Sequence, residues 1–186
     1  EILLWLYRLG DKKIKKIREE IILSKLRQLE DSLHFIVEFL PSDHKLLEDR
    51  KDRNALYKET EFAIQTVIDI CSVINSDVGT ETPSDEESII YLADKNGVLS
   101  SNLSKKILSM KGFRNVLVHR YDSIDNKKAF ESIKSGLNDF ELFIVEINRF
   151  LDKQKQKIKK VLWRKVYISL NSQVSCKKEG CCHFLF

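Results

Sequence analysis

The sequence predicts an all-α protein, an antiparallel bundle of about five helices with N- and C-terminal extensions. Only two prolines and six glycines occur among 186 residues, so few residues interrupt long helices. Apolar residues recur at steps of three and four along most of the chain, which is the spacing of one helical face. Hydrophobic residues make up 42% of the chain, enough for a single domain of this length to bury a core.

Composition divides the chain into three predicted segments. Residues 1–20 form an N-terminal extension that we expect to be partly helical, and their second half is almost entirely charged. Residues 21–152 form the helical-bundle domain. Residues 153–186 form a basic, cysteine-containing C-terminal tail, because lysines crowd its beginning and three of the four cysteines lie near its end.

The first two core helices are predicted over residues 21–40 and 45–75. The sequence Pro41-Ser42-Asp43 ends the first helix. A polar segment over residues 76–82, which contains Gly79, predicts a loop after the second helix. The apolar stripe of the first helix is Ile22, Leu26, Leu29, Leu33, Ile36 and Leu40. The stripe of the second helix is Leu56, Thr60, Ala63, Val67, Ile70 and Ile74.

Three further helices follow. Ser84 is the predicted N-cap of a short third helix, with Glu87 reaching back to it as in a capping box, and Lys95-Asn96-Gly97 stops that helix. The fourth helix begins near Ser101. Either Ser123 or Asp125 caps the fifth. The fourth helix has the stripe Leu103, Ile107, Met110, Phe113 and Leu117. The fifth has Ala129, Ile133, Leu137, Phe140, Ile144, Ile147 and Leu151.

The overall charge is only mildly basic. The net charge of +4 and the pI near 8.8 fall short of the composition of a dedicated nucleic-acid binder, so charge alone does not establish an RNA partner. No apolar run is long enough to span a membrane. We therefore expect a cytoplasmic protein with no membrane partner and no DNA partner.

Cysteine and histidine residues give no metal-site pattern. Cys176, Cys181, Cys182 and His183 lack the paired C-x2-C spacing of zinc modules, so we expect exposed thiols on a tail. Cys71 is expected in the core. His34 is expected at the edge of the first apolar stripe, as a boundary residue and not a ligand, and His44 is expected in a loop. No metal and no cofactor is predicted.

One motif concentrates chemically active side chains. The segment Arg114-Asn115-Val116-Leu117-Val118-His119-Arg120-Tyr121 contains the pattern R-x4-H-x-Y near the predicted end of the fourth helix. Arginine binds phosphate with a rigid fork of donors, and histidine transfers protons near neutral pH. The phenol of tyrosine can donate, accept or be modified.

Helical geometry separates the two catalytic candidates. At about 100° per residue, Arg114 and His119 lie roughly 140° apart around a regular helix. Two arrangements can still bring them to one phosphate. The helix can break near Val118-His119, or two copies of the motif can meet across the two-fold axis of a dimer. Without either, capping and packing at an interface explain the motif as well.

Metal-independent RNA cleavage is the chemistry that suits this set. It needs a base for the ribose 2′-hydroxyl, an acid for the leaving 5′-oxygen and a cation for the charge on phosphorus. His119 fits proton transfer, Arg114 fits charge stabilisation, and Asn115 can orient His119 or the phosphate.

The motif and its surroundings resemble the HEPN superfamily, and in particular the HepT toxins of HEPN/MNT (type VII) toxin–antitoxin pairs. The resemblance covers roughly residues 26–151 and includes Lys111-Gly112-Phe113 before the motif. It implies a dimer of five-helix bundles with the motif in a cleft between subunits. It also implies that Arg114 and His119 cleave RNA, and that an MntA-like nucleotidyltransferase antitoxin transfers AMP to Tyr121. Neither flank has a counterpart in the family, and Arg120 matches no family role.

Three functions remain open on the sequence. The leading one is the toxin of such a pair, a metal-independent endoribonuclease silenced by AMPylation. The alternative is a catalytically inactive HEPN binding module that is the partner or substrate of a nucleotidyltransferase. The third is a structural helical dimer with no affinity for phosphate.

Overall fold

The described part of the chain consists of five α-helices and the short segments that connect them. The computed structural model describes residues 17–43, 49–79, 81–119 and 124–178, with side chains given up to residue 161 and at Trp163. These residues contain no strand, which confirms the all-α prediction. The five helices are α1 (Glu19–Phe39), α2 (Arg50–Val78), α3 (Glu86–Lys95), α4 (Ser101–His119) and α5 (Asn126–Lys178).

Helices α1 and α2 pack antiparallel. Along α1, Arg18 precedes Lys25 and Ser32, whereas their partners Asp77, Asp69 and Glu59 run in the opposite order along α2. The bonds measure 2.7 Å from Arg18 Nε to Asp77, 2.9 Å from Lys25 to Asp69, and 2.6 Å from Ser32 to Glu59. Asp77 also accepts the backbone N–H of Arg18 at 2.9 Å, so it fixes the residue that precedes α1.

Most residues of the predicted apolar stripes lie in the core, whereas Leu33, Leu40, Phe113, Leu137 and Ile144 are only partly buried. Every stripe residue of α2 is buried, and Ile22, Leu29 and Ile36 of α1 are fully buried. Cys71 is also in the core, as predicted, and burial raises the pKa of its thiol to about 12. His34 is exposed at the surface, while His44 lies outside the described residues.

The connection between α2 and α3 differs in detail from the prediction. Helix α2 continues to Val78 and ends at Gly79, whose φ of 71° is the left-handed conformation favoured by glycine. Asp85, not Ser84, caps α3: its carboxylate accepts the backbone N–H of Ser88 at 2.8 Å, and Ser88 Oγ accepts the backbone N–H of Asp85 at 3.0 Å. The predicted capping box was therefore wrong by one residue.

Helices α4 and α5 also run antiparallel. Lys106 Nζ lies 2.6 Å from Asp139, and the backbone N–H of Ser100, just before α4, donates to Glu146 at 2.7 Å. Further toward the C-terminus of α4, a Cβ placed at Gly136 would lie 3.7 Å from Met110. Asp125 caps α5 by accepting the backbone N–H of Lys127 and Lys128.

Helix α5 is longer than its apolar stripe. It continues through the lysine-rich segment to Lys178, so the beginning of the predicted tail is helical. The chain forms two compact units, one ending at Asn148 and the other beginning at Arg149. Cys181, Cys182 and His183 lie outside the described residues. Within the described ranges, no helix is both long and apolar enough to cross a membrane.

Candidate functional site

The two faces of α4 place the motif residues in different environments. The inward face carries Leu103, Ile107, Met110 and Leu117, all buried. Arg114 follows Ile107 by seven residues and precedes Leu117 by three, so helical periodicity puts it on this same face. Its side chain is only 14% exposed. His119 is exposed and ends the helix.

Arg114 is held by acceptors from three helices. Its two terminal nitrogens bind both carboxylate oxygens of Glu86, the first residue of α3, at 2.8 and 2.9 Å. One of them also donates to Gln65 Oε1 on α2, and the other donates to Asn115 Oδ1 at 3.0 Å. A bidentate arginine–carboxylate pair is short, charged and directional, so it fixes the guanidinium plane.

A second layer of contacts fixes Gln65. Gln65 Nε2 donates to Asp69 Oδ1 at 2.9 Å, and the other oxygen of Asp69 accepts from Lys25 at 2.9 Å. With its nitrogen directed to Asp69, the amide must present its oxygen to Arg114. A polar chain therefore runs from α1 through α2 to Arg114 and on to Glu86 of α3.

One donor of Arg114 stays unsatisfied. Its Nε is buried and has no acceptor among the residues that the structure describes. A buried donor without a partner costs about 1–3 kcal/mol, so this arrangement is not the best that the guanidinium could adopt. The cluster can hold a cation in place, but all four terminal N–H groups already bind protein oxygens.

Arg114 and His119 are only five residues apart in the sequence, but they lie on different faces of α4. Helix α4 is unbroken from Arg114 through His119, so a break between the two residues, one of the two arrangements that could bring them together, does not occur. The histidine side chain makes no hydrogen bond or ion pair with another described residue. As an exposed group at a helix end, it is open to an external partner on the side roughly 140° from Arg114.

Of the remaining motif residues, the structure describes the contacts of Asn115 but not those of Arg120 and Tyr121. Asn115 binds Arg114 and is thus placed to orient the arginine, whereas we had expected it to orient His119 or the phosphate. Tyr121 and Arg120 lie outside the described residues, and their roles remain predictions.

Exposed apolar residues accompany His119 on the outward face of α4. Leu108, Gly112 and Val116 are exposed and precede His119 at helical spacing. A Cβ at Gly112 would meet no atom within 4 Å. This set, Leu108, Gly112, Val116 and His119, is called the outward stripe below. It is an apolar surface with a proton-transfer group at its end.

Sequence reasoning missed Gln65 and Glu86. Gln65 belongs to the polar side of α2. Glu86 lies in the first turn of α3, where acidic residues are common because they interact favourably with the helix dipole. No local pattern connects either residue to Arg114, because both contacts arise from helix packing. Among the described residues, no group of three or more histidine, cysteine, aspartate or glutamate side chains is arranged to hold a metal ion.

Comparison with known proteins gives a family match over most of the bundle. The family model described as "Ribonuclease HepT-like" matches residues 29–147, more than half of the chain. A curated relative from Aphanizomenon flos-aquae, named tRNA nuclease HepT, is 32% identical over 97 residues; the alignment covers 50% of this chain and 65% of the relative. The mRNA nuclease HepT of Shewanella oneidensis is 22% identical over 125 residues, covering 67% of this chain and 94% of the relative.

Solved structures share the fold. A tri-AMPylated Shewanella oneidensis HEPN toxin in complex with MNT antitoxin superposes with a TM-score of 0.65 at 22% identity, over 69% of this chain and 97% of that one. YutE, a cytosolic protein of unknown function from Bacillus subtilis, gives 0.65 at 16% identity, over 74% of this chain and 93% of that one. At these identities the likeness establishes the fold alone.

Proposed function

The chain belongs to the ribonuclease HepT-like family, and on this basis we propose that it is a metal-independent endoribonuclease, the toxin of a HEPN/MNT toxin–antitoxin pair. The observation that carries the proposal is the R-x4-H-x-Y motif, whose Arg114 and His119 lie on α4. There Arg114 is held in place by three helices and His119 is exposed to an incoming ligand. Two relatives named as RNA nucleases support the substrate class.

The reaction follows from the chemistry of the two side chains. His119 accepts the proton of a ribose 2′-hydroxyl, whose oxygen attacks the adjacent phosphorus as the bond to the 5′-oxygen breaks. The leaving oxygen takes up a proton, which gives a 2′,3′-cyclic phosphate and a free 5′-hydroxyl. The Arg114 guanidinium stabilises the negative charge that develops on the phosphoryl oxygens. Asn115 keeps the guanidinium oriented.

A homodimer would complete the site. The outward stripe presents Leu108 and Val116 beside His119, a surface suited to a second copy about a two-fold axis. Two histidines in one cleft would provide a base for the 2′-hydroxyl and an acid for the leaving oxygen. Val116→Glu should therefore give monomers in light scattering and lose RNA cleavage. Val37→Glu, a matched change at an exposed position of α1, should do neither.

Control by a partner is the second part of the proposal. A nucleotidyltransferase antitoxin of the MntA type would transfer AMP from ATP to Tyr121: the phenol oxygen attacks the α-phosphorus and pyrophosphate leaves. The added phosphate brings negative charge close to the catalytic residues and repels RNA. A solved HEPN toxin of the same fold, tri-AMPylated and in complex with its MNT antitoxin, supports this expectation.

Cleavage of RNA by the purified protein in the presence of EDTA tests the activity. The parent should cleave and leave 2′,3′-cyclic phosphate ends, whereas His119→Ala should not. If neither protein cleaves, or both cleave alike, the nuclease proposal fails. Incubation with the partner and ATP, followed by mass spectrometry, should place AMP on Tyr121 and abolish cleavage.

One observation favours the alternative of an inactive binding module. All four terminal N–H groups of Arg114 bind protein oxygens, as they would if the arginine only held the bundle together. The two functions differ when the chain is expressed without its antitoxin. The nuclease arrests growth, and Arg114→Ala relieves the arrest. The binding module has no such effect, although it still accepts AMP.

A further inference from the structure

Arg114 can bind an RNA phosphate only if one of its present partners leaves, because all four of its terminal N–H groups already donate to protein oxygens. Glu86 is the partner best suited to leave. Of the four hydrogen bonds at the terminal nitrogens, two go to the Glu86 carboxylate and two to the neutral amides of Gln65 and Asn115. Only Glu86 carries a charge that competes with phosphate. A phosphate can reach the guanidinium fork if this one side chain leaves.

The geometry of the Glu86 pair matches that of a bound phosphate. Its two oxygens lie 2.8 and 2.9 Å from different terminal nitrogens of Arg114. Arginine binds carboxylate and phosphate through the same planar fork, with two parallel N–H donors. The Glu86 oxygens therefore occupy the positions that two phosphoryl oxygens would take.

Glu86 lies on the solvent side of the pair. Its side chain is 32% exposed, whereas that of Arg114 is 14% exposed. The carboxylate can rotate into water and be hydrated there without unfolding any helix. Arg114 cannot follow it, because Gln65 and Asn115 hold the other two N–H groups, and Asp69 fixes the orientation of Gln65.

We propose that Glu86 is a positioning residue: it holds the Arg114 fork in the orientation that binds phosphate, and the RNA phosphate displaces it. The inference rests on the proposed function, since it assumes that Arg114 meets phosphate. In the free protein, Glu86 neutralises the charge of Arg114, and RNA must displace Glu86 in order to bind the guanidinium.

If RNA phosphate displaces Glu86, substitutions that weaken the Glu86–Arg114 pair should strengthen RNA binding. In Glu86→Gln the amide loses the charge and one acceptor, and its NH2 group cannot face the N–H donors of arginine. The fork is then free for phosphate. Glu86→Asp keeps the charge but withdraws the carboxylate by one methylene, so it should have a smaller effect in the same direction.

Glu87→Gln is the matched control. Glu87 is the next residue of α3, and it pairs with Lys111 at 2.7 Å rather than with Arg114. Its substitution removes the same charge from the same helical turn. Any gain that comes only from a less negative surface will appear in both variants.

The experiment measures binding of a short fluorescein-labelled single-stranded RNA by anisotropy, in a His119→Ala background that prevents cleavage. Glu86→Gln should bind about tenfold more tightly than the background protein, a change of about 1.4 kcal/mol, while Glu87→Gln should bind within about twofold of it. Glu86→Asp should fall between them. With His119 restored, the gain should appear as a lower KM, because the competitor is removed from the free protein.

Several results overturn the displacement. One is that Glu86→Gln binds no more tightly than Glu87→Gln. Another is that Glu86→Asp binds like the background protein while Glu86→Gln gains affinity, which would assign the effect to charge alone. If circular dichroism shows Glu86→Gln to be unfolded, Glu86→Asp decides: binding no tighter than Glu87→Gln overturns the inference. A parent that binds RNA without cleaving it overturns the nuclease proposal but leaves the binding comparison decisive. A parent that neither binds nor cleaves overturns both.

Discussion

The inward and outward faces of α4 present the two halves of one motif in opposite ways. On the inward face, Arg114 is largely buried and is bound by Glu86, Gln65 and Asn115. On the outward face, His119 is exposed beside Val116 and contacts no polar group of another described residue. The helical bundle itself supplies every partner of Arg114. Among the described residues, none supplies a polar partner for His119.

Because of this difference, substitutions on the inward face of α4 should affect the stability of the fold, and substitutions on the outward face should affect activity. A residue whose partners all come from the fold contributes to folding whether or not it acts in catalysis. A residue with no partners in the fold can be removed without cost to the fold. Substitutions on the two faces should therefore change different measured quantities, and the predictions below use that contrast.

The largest expected effect is on activity at the outward face. His119→Ala should lower the cleavage rate by about 10²–10⁴-fold, the contribution of a positioned acid–base group. Its free energy of unfolding should change by less than about 0.5 kcal/mol, because an exposed side chain without partners is lost. Cleavage kinetics and urea unfolding of the same preparation check both. A strongly destabilised His119→Ala would remove the contrast between the faces.

The largest expected effect on stability is in the inward core. Ile107 is fully buried on the same face as Arg114. Ile107→Ala should lower the free energy of unfolding by about 2–5 kcal/mol through lost burial and the cavity left behind. Urea denaturation measures it, with the exposed Leu108→Ala as the neighbouring control. Equal losses at the two positions would mean that the inward and outward assignments of α4 are incorrect.

Arg114 should affect both quantities. Arg114→Ala removes the partner of Glu86 and Gln65 and should cost about 1–3 kcal/mol of unfolding free energy, in addition to its loss of cleavage. Arg114→Lys should recover little, because an ammonium group cannot form the bidentate pair. Thermal melts of both variants beside His119→Ala provide the measurement. An Arg114→Ala protein as stable as the parent would contradict the network described for it.

The smallest effect concerns the cap that places Glu86. The backbone N–H of Ser88 lowers the pKa of Asp85 below its usual value. Because the folded-state pKa is the lower one, the stabilisation is present above the ordinary carboxyl pKa and is lost as pH falls through the folded value. Asp85→Ala should melt below the parent at neutral pH, and the gap should close in acid. A gap that is constant with pH would exclude the ionised cap as its cause.

The sequence predicted the elements better than the connections between them. Every residue of the stripe that helical spacing predicted for α2 is buried, because burial of one face is a local consequence of periodicity. The spacing did not identify the additional buried residues beside that stripe, such as Ile64 and Ile68. The cap of α3 was placed at Ser84 instead of Asp85, because both side chains can accept the N–H groups at a helix start. The lysine-rich part of α5 was assigned to a tail, although lysine is a good helix former.

The site was predictable only in part. The motif supplied Arg114, His119 and Asn115, and the angle between the first two followed from helix geometry. Gln65 and Glu86 were not predictable, because they come from α2 and α3 and meet Arg114 only after the helices pack. The sequence therefore named the candidate reacting groups but not the residues that hold the arginine.

The central claim is that a buried, paired Arg114 and an exposed His119 serve one reaction. Single-turnover cleavage of RNA in EDTA by the parent, Arg114→Ala, His119→Ala and the double variant tests it most directly. Residues that act as a unit give strongly non-additive losses, so the double variant should cleave no more slowly than the worse single variant. Losses that multiply in the double variant, or a His119→Ala protein that cleaves like the parent, would contradict the account.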